Sequence, residues 1–261
     1  MIPHALVTND DGVDSVFLHR LVDALLPHFK VSVAAPAHEQ SWKGRSMTRH
    51  GEVEVVRNNT DFPEDVEAWS INGTPTDCVN IALGNLLPTK PDIVLSGINI
   101  GYNTTQTLIL SSGTVAGAIE GTLWDLPAMA FSKCIPKDQF ERISESKGMT
   151  DPDLDASLKA CASHAARMAL ETLHDTSHLG SVININFPSQ TSDQSEVVDT
   201  VPAKLRLGGL FAETSPNKFT FRYSDGAEID SNAKTDRSAL SSGYISRSIL
   251  DFSRIGKPDE D

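Results

Sequence analysis

Residues 6–13, LVTNDDGV, end a short apolar run with two adjacent carboxylates, Asp10 and Asp11, and a glycine. A turn needs only one Asp or Asn to hydrogen-bond its own backbone, so the second acid calls for another explanation. A bound cation is the candidate. Neutral oxygen donors recur in three other segments: HEQSWKGRS, DIVLSGIN with its Asn99, and SSGT with Ser111, Ser112, Gly113 and Thr114. Two carboxylates with Ser and Asn oxygens make a hard donor set, which suits Mg²⁺, Mn²⁺ or Ca²⁺ and not zinc. Few carboxylates leave positions open for water and phosphate. Alone, NDDG reads equally as an Asx turn that caps the next helix, and Ser41 or Asn99 taken singly reads as a loop-closing residue. Only their convergence with Asp10 and Asp11 counts.

SSGTVAGA adds a second chemistry. At a helix start, unpaired backbone N–H groups and the positive end of the dipole can hold a phosphate. The competing reading is an ordinary Ser or Thr N-cap. Ala116, Gly117 and Ala118 would let that helix pack closely. Lys43 and Arg45 could neutralise a substrate phosphate or be solvated surface cations. His174 and His178 share the i, i+4 spacing of a helical metal pair but lack the glutamate of HExxH, so a surface helix end is the better reading. Trp69 and Trp124 read as packed aromatics and not as base-stacking platforms. No GxGxxG follows the first strand, and neither GxxxxGKS nor GxxxxGKT occurs, which argues against NAD-linked and P-loop chemistry.

These residues need a scaffold that brings four loops to one edge. HALVTN reads as a strand, and in SVFLHRLVDALLPHF the residues Phe17, Leu18, Leu21, Leu25 and Leu26 fall on one helical face. KVSVAAP is the next strand. The βαβ crossover makes the two strands parallel, so Asp10, Asp11 and the loop after Pro36 meet at their C-terminal ends. RHGEVEVV and VEAWSING predict a peripheral hairpin. Thr74 as N-cap, Pro75 at the first helical position and Asp77 near the positive dipole end mark a helix start. PDIVLSGIN, SGTVAGAIEGTLWDL and PAMAFS continue the alternation of a doubly wound α/β sheet, where ligands bind beyond the C-terminal strand ends. KDQFERISESKGMTDPDLD is polar and punctuated and reads as a loop before the amphipathic helix LDASLKACASHAARMALETLH and the strand SVININFP. Further on, KFTFRY and GYISRSIL suggest hairpins or an arm, and KPDED a solvated tail.

The chain has 261 residues, 39% of them hydrophobic, enough for a sizeable core. Its formal charge of −13 argues against binding duplex DNA, because no basic excess exists to displace counterions. Three scattered cysteines without CxxC spacing argue against a disulfide framework or a thiolate zinc site and fit a reducing cytoplasm. The N-terminus lacks a signal-peptide pattern, and no apolar run is long enough to cross a bilayer. The expectation is a soluble, cytoplasmic protein with no membrane partner.

With these pieces assembled, the chain resembles the SurE (survival protein E) family of 5′/3′-nucleotidases. The resemblance rests on LVTNDDGVDS, VSVAAPAHEQSWKGRSMT, INGTPTDCVNIAL, DIVLSGINIGYN, SSGTVAGAIEG, LPAMAFS, ININFP and TDRSALSSGYISRSIL, in the family's order. It implies a Rossmann-like, mostly parallel sheet with helices on both faces, plus a C-terminal β-hairpin arm used in homodimers or homotetramers. The corresponding division is a catalytic core over 1–190 and an arm over 191–261. Also implied is one divalent cation per subunit, Mg²⁺ or Mn²⁺ with Ca²⁺ as an alternative occupant, on Asp10, Asp11, Ser41 and Asn99. Substrate contacts would fall at Asn9, Asn103, Ser112, Gly113 and Thr114. The chain departs from the family's pattern at TTQTLIL, at Trp42 with Lys43, and at SRSIL.

The expected reaction is hydrolysis of a nucleoside monophosphate by in-line attack of water, the cation neutralising phosphate oxygens and lowering the water's pKa. Either Asp10 or Asp11 could accept the water's proton. A haloacid-dehalogenase-type phosphatase would need an Asp nucleophile where Asn9 stands. The remaining alternative is a non-catalytic module that senses a nucleotide in the same crevice.

Overall fold

The computed structural model describes residues 2–58, 61–223, 226–228, 234–253 and 255; the KPDED segment lies outside the described residues. β1 (His4–Thr8), α1 (Val16–Leu25) and β2 (Lys30–Pro36) form the opening βαβ unit with its strands parallel. Phe17, Leu18, Leu21 and Leu25 are buried as their spacing predicts, and Val22 joins them. β3 (Val55–Arg57) pairs antiparallel with β4 (Glu67–Ile71), which also runs parallel to β2, so the hairpin extends the main sheet at its edge. α2 (Pro75–Ile81) opens with a reciprocal capping box: Thr74 Oγ1 accepts from Asp77 N–H, and the Asp77 carboxylate accepts from Thr74 N–H. β5 (Ile93–Ile100), α3 (Thr105–Ser111), α4 (Gly113–Thr122) and β6 (Ala128–Lys133) follow.

The structure corrects the loop expected after β6. Residues Lys137–Glu145 form α5, which buries Ile143 in the core and ends where Gly148 N–H donates to the Ile143 carbonyl. Phe140 and Ile143 share one face of this helix, but two apolar residues in an otherwise polar stretch flanked by Pro136 and Gly148 read as punctuation. α6 (Pro152–Thr172) is capped by Asp151, whose carboxylate accepts from Leu154 N–H, and β7 (Ser181–Phe187) returns to the sheet.

Beyond it lie β8 (Val197–Asp199), β9 (Leu205–Arg206), β10 (Phe211–Ser215), β11 (Lys218–Phe221), β12 (Ala227–Glu228), α7 (Asp236–Ser241) and β13 (Ile245–Asp251). β10 and β11 form the expected C-terminal hairpin. GYISRSIL does not belong to it: β13 enters the central sheet, antiparallel to β7 and parallel to β8. Ile245, Ser246, Ser248 and Leu250 are buried there, a half-buried alternation that an exposed hairpin strand shares in sequence.

The nine-stranded sheet has the order β3-β4-β2-β1-β5-β6-β7-β13-β8. Alternate residues feed two cores: Ala5, Val7, Ile93 and Leu95 face α1 and α6, while Leu6 and Val94 face α2 and α4. This is the mostly parallel α/β sheet with helices on both faces that the motifs imply. α4 presses on it through glycines spaced by one helical turn. An added Cβ at Gly113, Gly117 or Gly121 would lie within 2.9 Å of Asp10, Thr8 or Val94, respectively. No helix among the described residues is long and apolar enough to cross a membrane.

Candidate active site

The strand order reverses at β1, with β2 and β4 on one side and β5 and β6 on the other. At such a switch point the loops leaving two adjacent strands part to opposite faces and open a crevice. Asn9, Asp10 and Asp11 leave β1 there, and Asn99 lies at the end of β5. Gly97 shapes that end: it has φ +131°, a Cβ would collide with the Phe131 carbonyl oxygen, and the β5–β6 register shifts between Ser96 and Asn99.

Local turn chemistry does not consume the two aspartates. Asn9 Nδ2 donates to the Gly12 carbonyl at 2.8 Å and closes the turn. α1 has Ser15 as its N-cap, without a side-chain cap bond. Asp10 is buried and accepts from Thr114 Oγ1 at 2.5 Å. Asp11, half-buried, accepts from Ile100 N–H at 2.9 Å. Burial holds the Asp10 carboxyl above the usual carboxylate range, against the Thr114 hydrogen bond. Burial and then the neighbouring Asp10 charge push Asp11 well above it, with Glu39 adding a little. Among the described residues no Lys, Arg or His forms an ion pair with either.

The first turn of α4 abuts Asp10. Ser112 is the N-cap and accepts from Val115 N–H at 3.1 Å. Gly113 lies so close that an added Cβ would be 2.9 Å from Asp10 Oδ2. The structure thus brings Asp10, Gly113 and Thr114 into direct contact, with Asp11 bonded to the residue after Asn99. Asn99 is buried, and its amide nitrogen donates to the Gly101 carbonyl at 2.8 Å. Ser41 follows Gln40, whose N–H donates to the Asp10 carbonyl at 2.7 Å, but its own hydroxyl donates to Glu39 at 2.6 Å. Asn103 is held in a buried amide network: its N–H donates to Asn186 Oδ1, its Nδ2 to Ser132 Oγ, and its carbonyl accepts from Asn184 and Asn186.

Arg45 is committed to the buried Glu120 at 2.6 Å. Lys43 is exposed. His178 pairs with Asp175, and Trp69 is buried. Sequence reasoning overlooked Glu39, Asn184 and Asn186. The two asparagines had a signal, since polar residues alternate with Ile in the buried strand SVININF. Glu39 had none beyond its place in the loop.

A hard dication fits these residues. The buried Asp10 and half-buried Asp11 form no ion pair with a protein cation among the described residues, and Asn9 Oδ1 is buried with no hydrogen-bond partner there. Among the described residues no three His, Cys, Asp or Glu side chains are placed to hold a metal ion together, so a metal here would draw on neutral oxygens for its remaining protein ligands.

A doubly wound α/β sheet with paired carboxylates at its switch point defines a Rossmann-like class of protein whose crevice suits an anionic ligand with a cation. The family model described as survival protein SurE matches residues 5–206, and the chain belongs to the SurE family. A relative from Methanoculleus marisnigri, named 5′-nucleotidase SurE, is 34% identical over 100% of this chain and 96% of its own length. One of the same name from Methanospirillum hungatei is 35% identical over 94% of this chain and 84% of its own. The crystal structure of the SurE protein from Aquifex aeolicus superposes with a TM-score of 0.75 at 25% identity, covering 96% of this chain and 94% of that one.

Proposed function

We propose that the chain is a divalent-metal-dependent phosphomonoesterase that hydrolyses nucleoside 5′- or 3′-monophosphates to nucleoside and phosphate. The observation that carries this reading is the adjacent Asp10 and Asp11, without an ion-pair partner among the described residues, Asp10 being buried against the first turn of α4. Family membership and the names of the relatives support the nucleotidase class.

Asp10, Asp11, Ser41 and Asn99 would hold the cation, Ser41 by turning its hydroxyl away from Glu39. When bound, the cation neutralises phosphate oxygens and lowers the pKa of a water. The start of α4 supplies backbone N–H groups and the positive dipole end to a phosphate, with Ser112, Gly113 and Thr114 at its edge. Thr114 holds the Asp10 carboxylate in place through its hydroxyl. Asn9 and Asn103 complete the substrate contacts. Asp10 or Asp11 accepts the proton of the attacking water. The scattered cysteines support a cytoplasmic location.

The test is a phosphate-release screen over nucleoside monophosphates and simple phosphomonoesters, each with Mg²⁺, Mn²⁺ or EDTA, on the native chain and on Asp11→Asn. Activity should require the cation and fall about 100-fold or more in the variant, the scale of losing one group that stabilises transition-state charge. Release that survives both EDTA and Asp11→Asn overturns the proposal. Thermal stabilisation by nucleotide without turnover under any cation would favour a sensing module instead.

A further inference from the structure

The five residues from Gln40 to Gly44 bridge the two walls of the site. At one end Gln40 N–H donates to the Asp10 carbonyl at 2.7 Å; at the other Gly44 N–H donates to the Ser111 carbonyl at 2.9 Å. Gly44 is buried so tightly that an added Cβ would lie 2.9 Å from the Leu110 carbonyl oxygen. A strap pinned at both ends holds its middle residue, Trp42, beside the crevice. Trp42 has φ 62°, a left-handed conformation disfavoured for a bulky residue. Such outliers persist where the surroundings impose them, and they cluster at ligand sites.

The ring is not used up by packing. Trp42 meets Phe221 at a centroid distance of 4.8 Å and Tyr223 at 5.9 Å, and Phe211 meets Phe221 at 5.9 Å, yet Trp42 remains 41% exposed. Trp69 is buried, and Trp124 donates its indole N–H to Glu120. Trp42 therefore has aromatic neighbours from the hairpin on one side and open surface on the other, next to the loop that would bind phosphate.

We propose that Trp42, supported by Phe221 and Tyr223, is the platform on which the base of a nucleoside monophosphate stacks while its phosphate lies at Asp10, Asp11 and the start of α4. The proposal rests on the phosphomonoesterase reading and adds the group that selects nucleotides over other phosphate esters. Stacking accepts every base, since each has a π-face, and the larger purine rings gain most.

The test compares kcat/KM for adenosine 5′-monophosphate with that for ribose 5-phosphate, which has no base, in Mg²⁺. In Trp42→Ala the ratio of the two should fall about 5- to 150-fold, the range that loss of one base–aromatic stack produces, and Trp42→Phe should restore most of it. An unchanged ratio, or a Phe variant as impaired as the Ala variant, overturns the platform. A second readout is independent of turnover: adenosine 5′-monophosphate, added by rapid mixing, should quench tryptophan fluorescence in the native chain but not in Trp42→Phe. Quenching without hydrolysis of either ester would refute only the phosphomonoesterase reading. Hydrolysis without quenching would refute only the platform.

Discussion

Replacing Gly113 by alanine inserts one methyl group between α4 and the candidate metal-binding carboxylate. The new Cβ would lie 2.8 Å from Asp10 Cβ, 2.9 Å from Oδ2 and 3.2 Å from Cγ, so the helix or the side chain must shift. Overpacking of this kind costs about 1–3 kcal/mol. Gly121→Ala on the same helix is the matched control, because its Cβ would lie 2.7 Å from Cβ of Val94 in β5, away from Asp10. Alanine in a helix interior recovers about 1 kcal/mol over glycine, which leaves the control a net loss of about 0–2 kcal/mol. Gly113 is the first residue of α4, where that recovery is smaller. With each kcal/mol worth about 2–4 °C at this chain length, Gly113→Ala should lower Tm by about 2–12 °C.

The two variants part company in function. Displacing a carboxylate by about 1 Å costs on the order of 100-fold in rate, so phosphate release should collapse in Gly113→Ala and persist in Gly121→Ala. Thermal scans with and without Mg²⁺ give an independent reading, since a ligand that binds only the folded state raises Tm. Gly113→Ala should lose most of that rise. If it kept both native phosphate release and the full Mg²⁺-dependent rise, the packing of α4 on Asp10 would not position a metal-binding group, and the reasoning would fail.

Arg45→Met should lower stability by about 1–3 kcal/mol, because the buried Glu120 loses its charged partner and keeps only Asn80 and Trp124. Phosphate release should be unchanged; a large rise in KM for every phosphate ester would return Arg45 to the substrate. Burial lowers the pKa of His4 and of His19 from 6.5, so these two side chains bind more protons in the unfolded chain than in the folded one below that value. The stability that these two histidines contribute should therefore be fully present above pH 6.5 and be lost as pH drops through the lowered values, while the raised Asp10 and Asp11 act in the opposite direction. Chemical denaturation from pH 7.5 to 5 checks this: the stability of the native chain relative to that of His4→Gln with His19→Gln should fall as pH drops.

Much of the fold was legible because its signals are local. The apolar runs of β1, β2, β5, β6 and β7, the periodic face of α1, and the Thr74–Pro75–Asp77 start of α2 each lie within one segment, as does the N-cap Ser112. Asp10 and Asp11 stood out for the same reason: two acids ending a strand exceed what a turn requires, and Asn9 in fact closes it. α5 escaped notice because it buries little besides Ile143, and β13 because alternation alone does not say which sheet a strand will join.

The amino-acid order alone determined the alternating α/β elements and which residue types could ligate a cation, because propensity, capping and hydrophobic period act over a few residues. Tertiary structure decided which partners those residues meet. Arg45 reaches Glu120, Asn103 reaches Asn184 and Asn186, and Ser41 turns to Glu39, while Trp42 gains aromatic neighbours from a hairpin far along the chain. Most of these contacts form only when distant segments arrive together, and their geometry is set by the packing of helices on the sheet. A close approach such as Gly113 on Asp10 leaves no periodic trace in either segment, so the chain order could suggest it but could not dictate it.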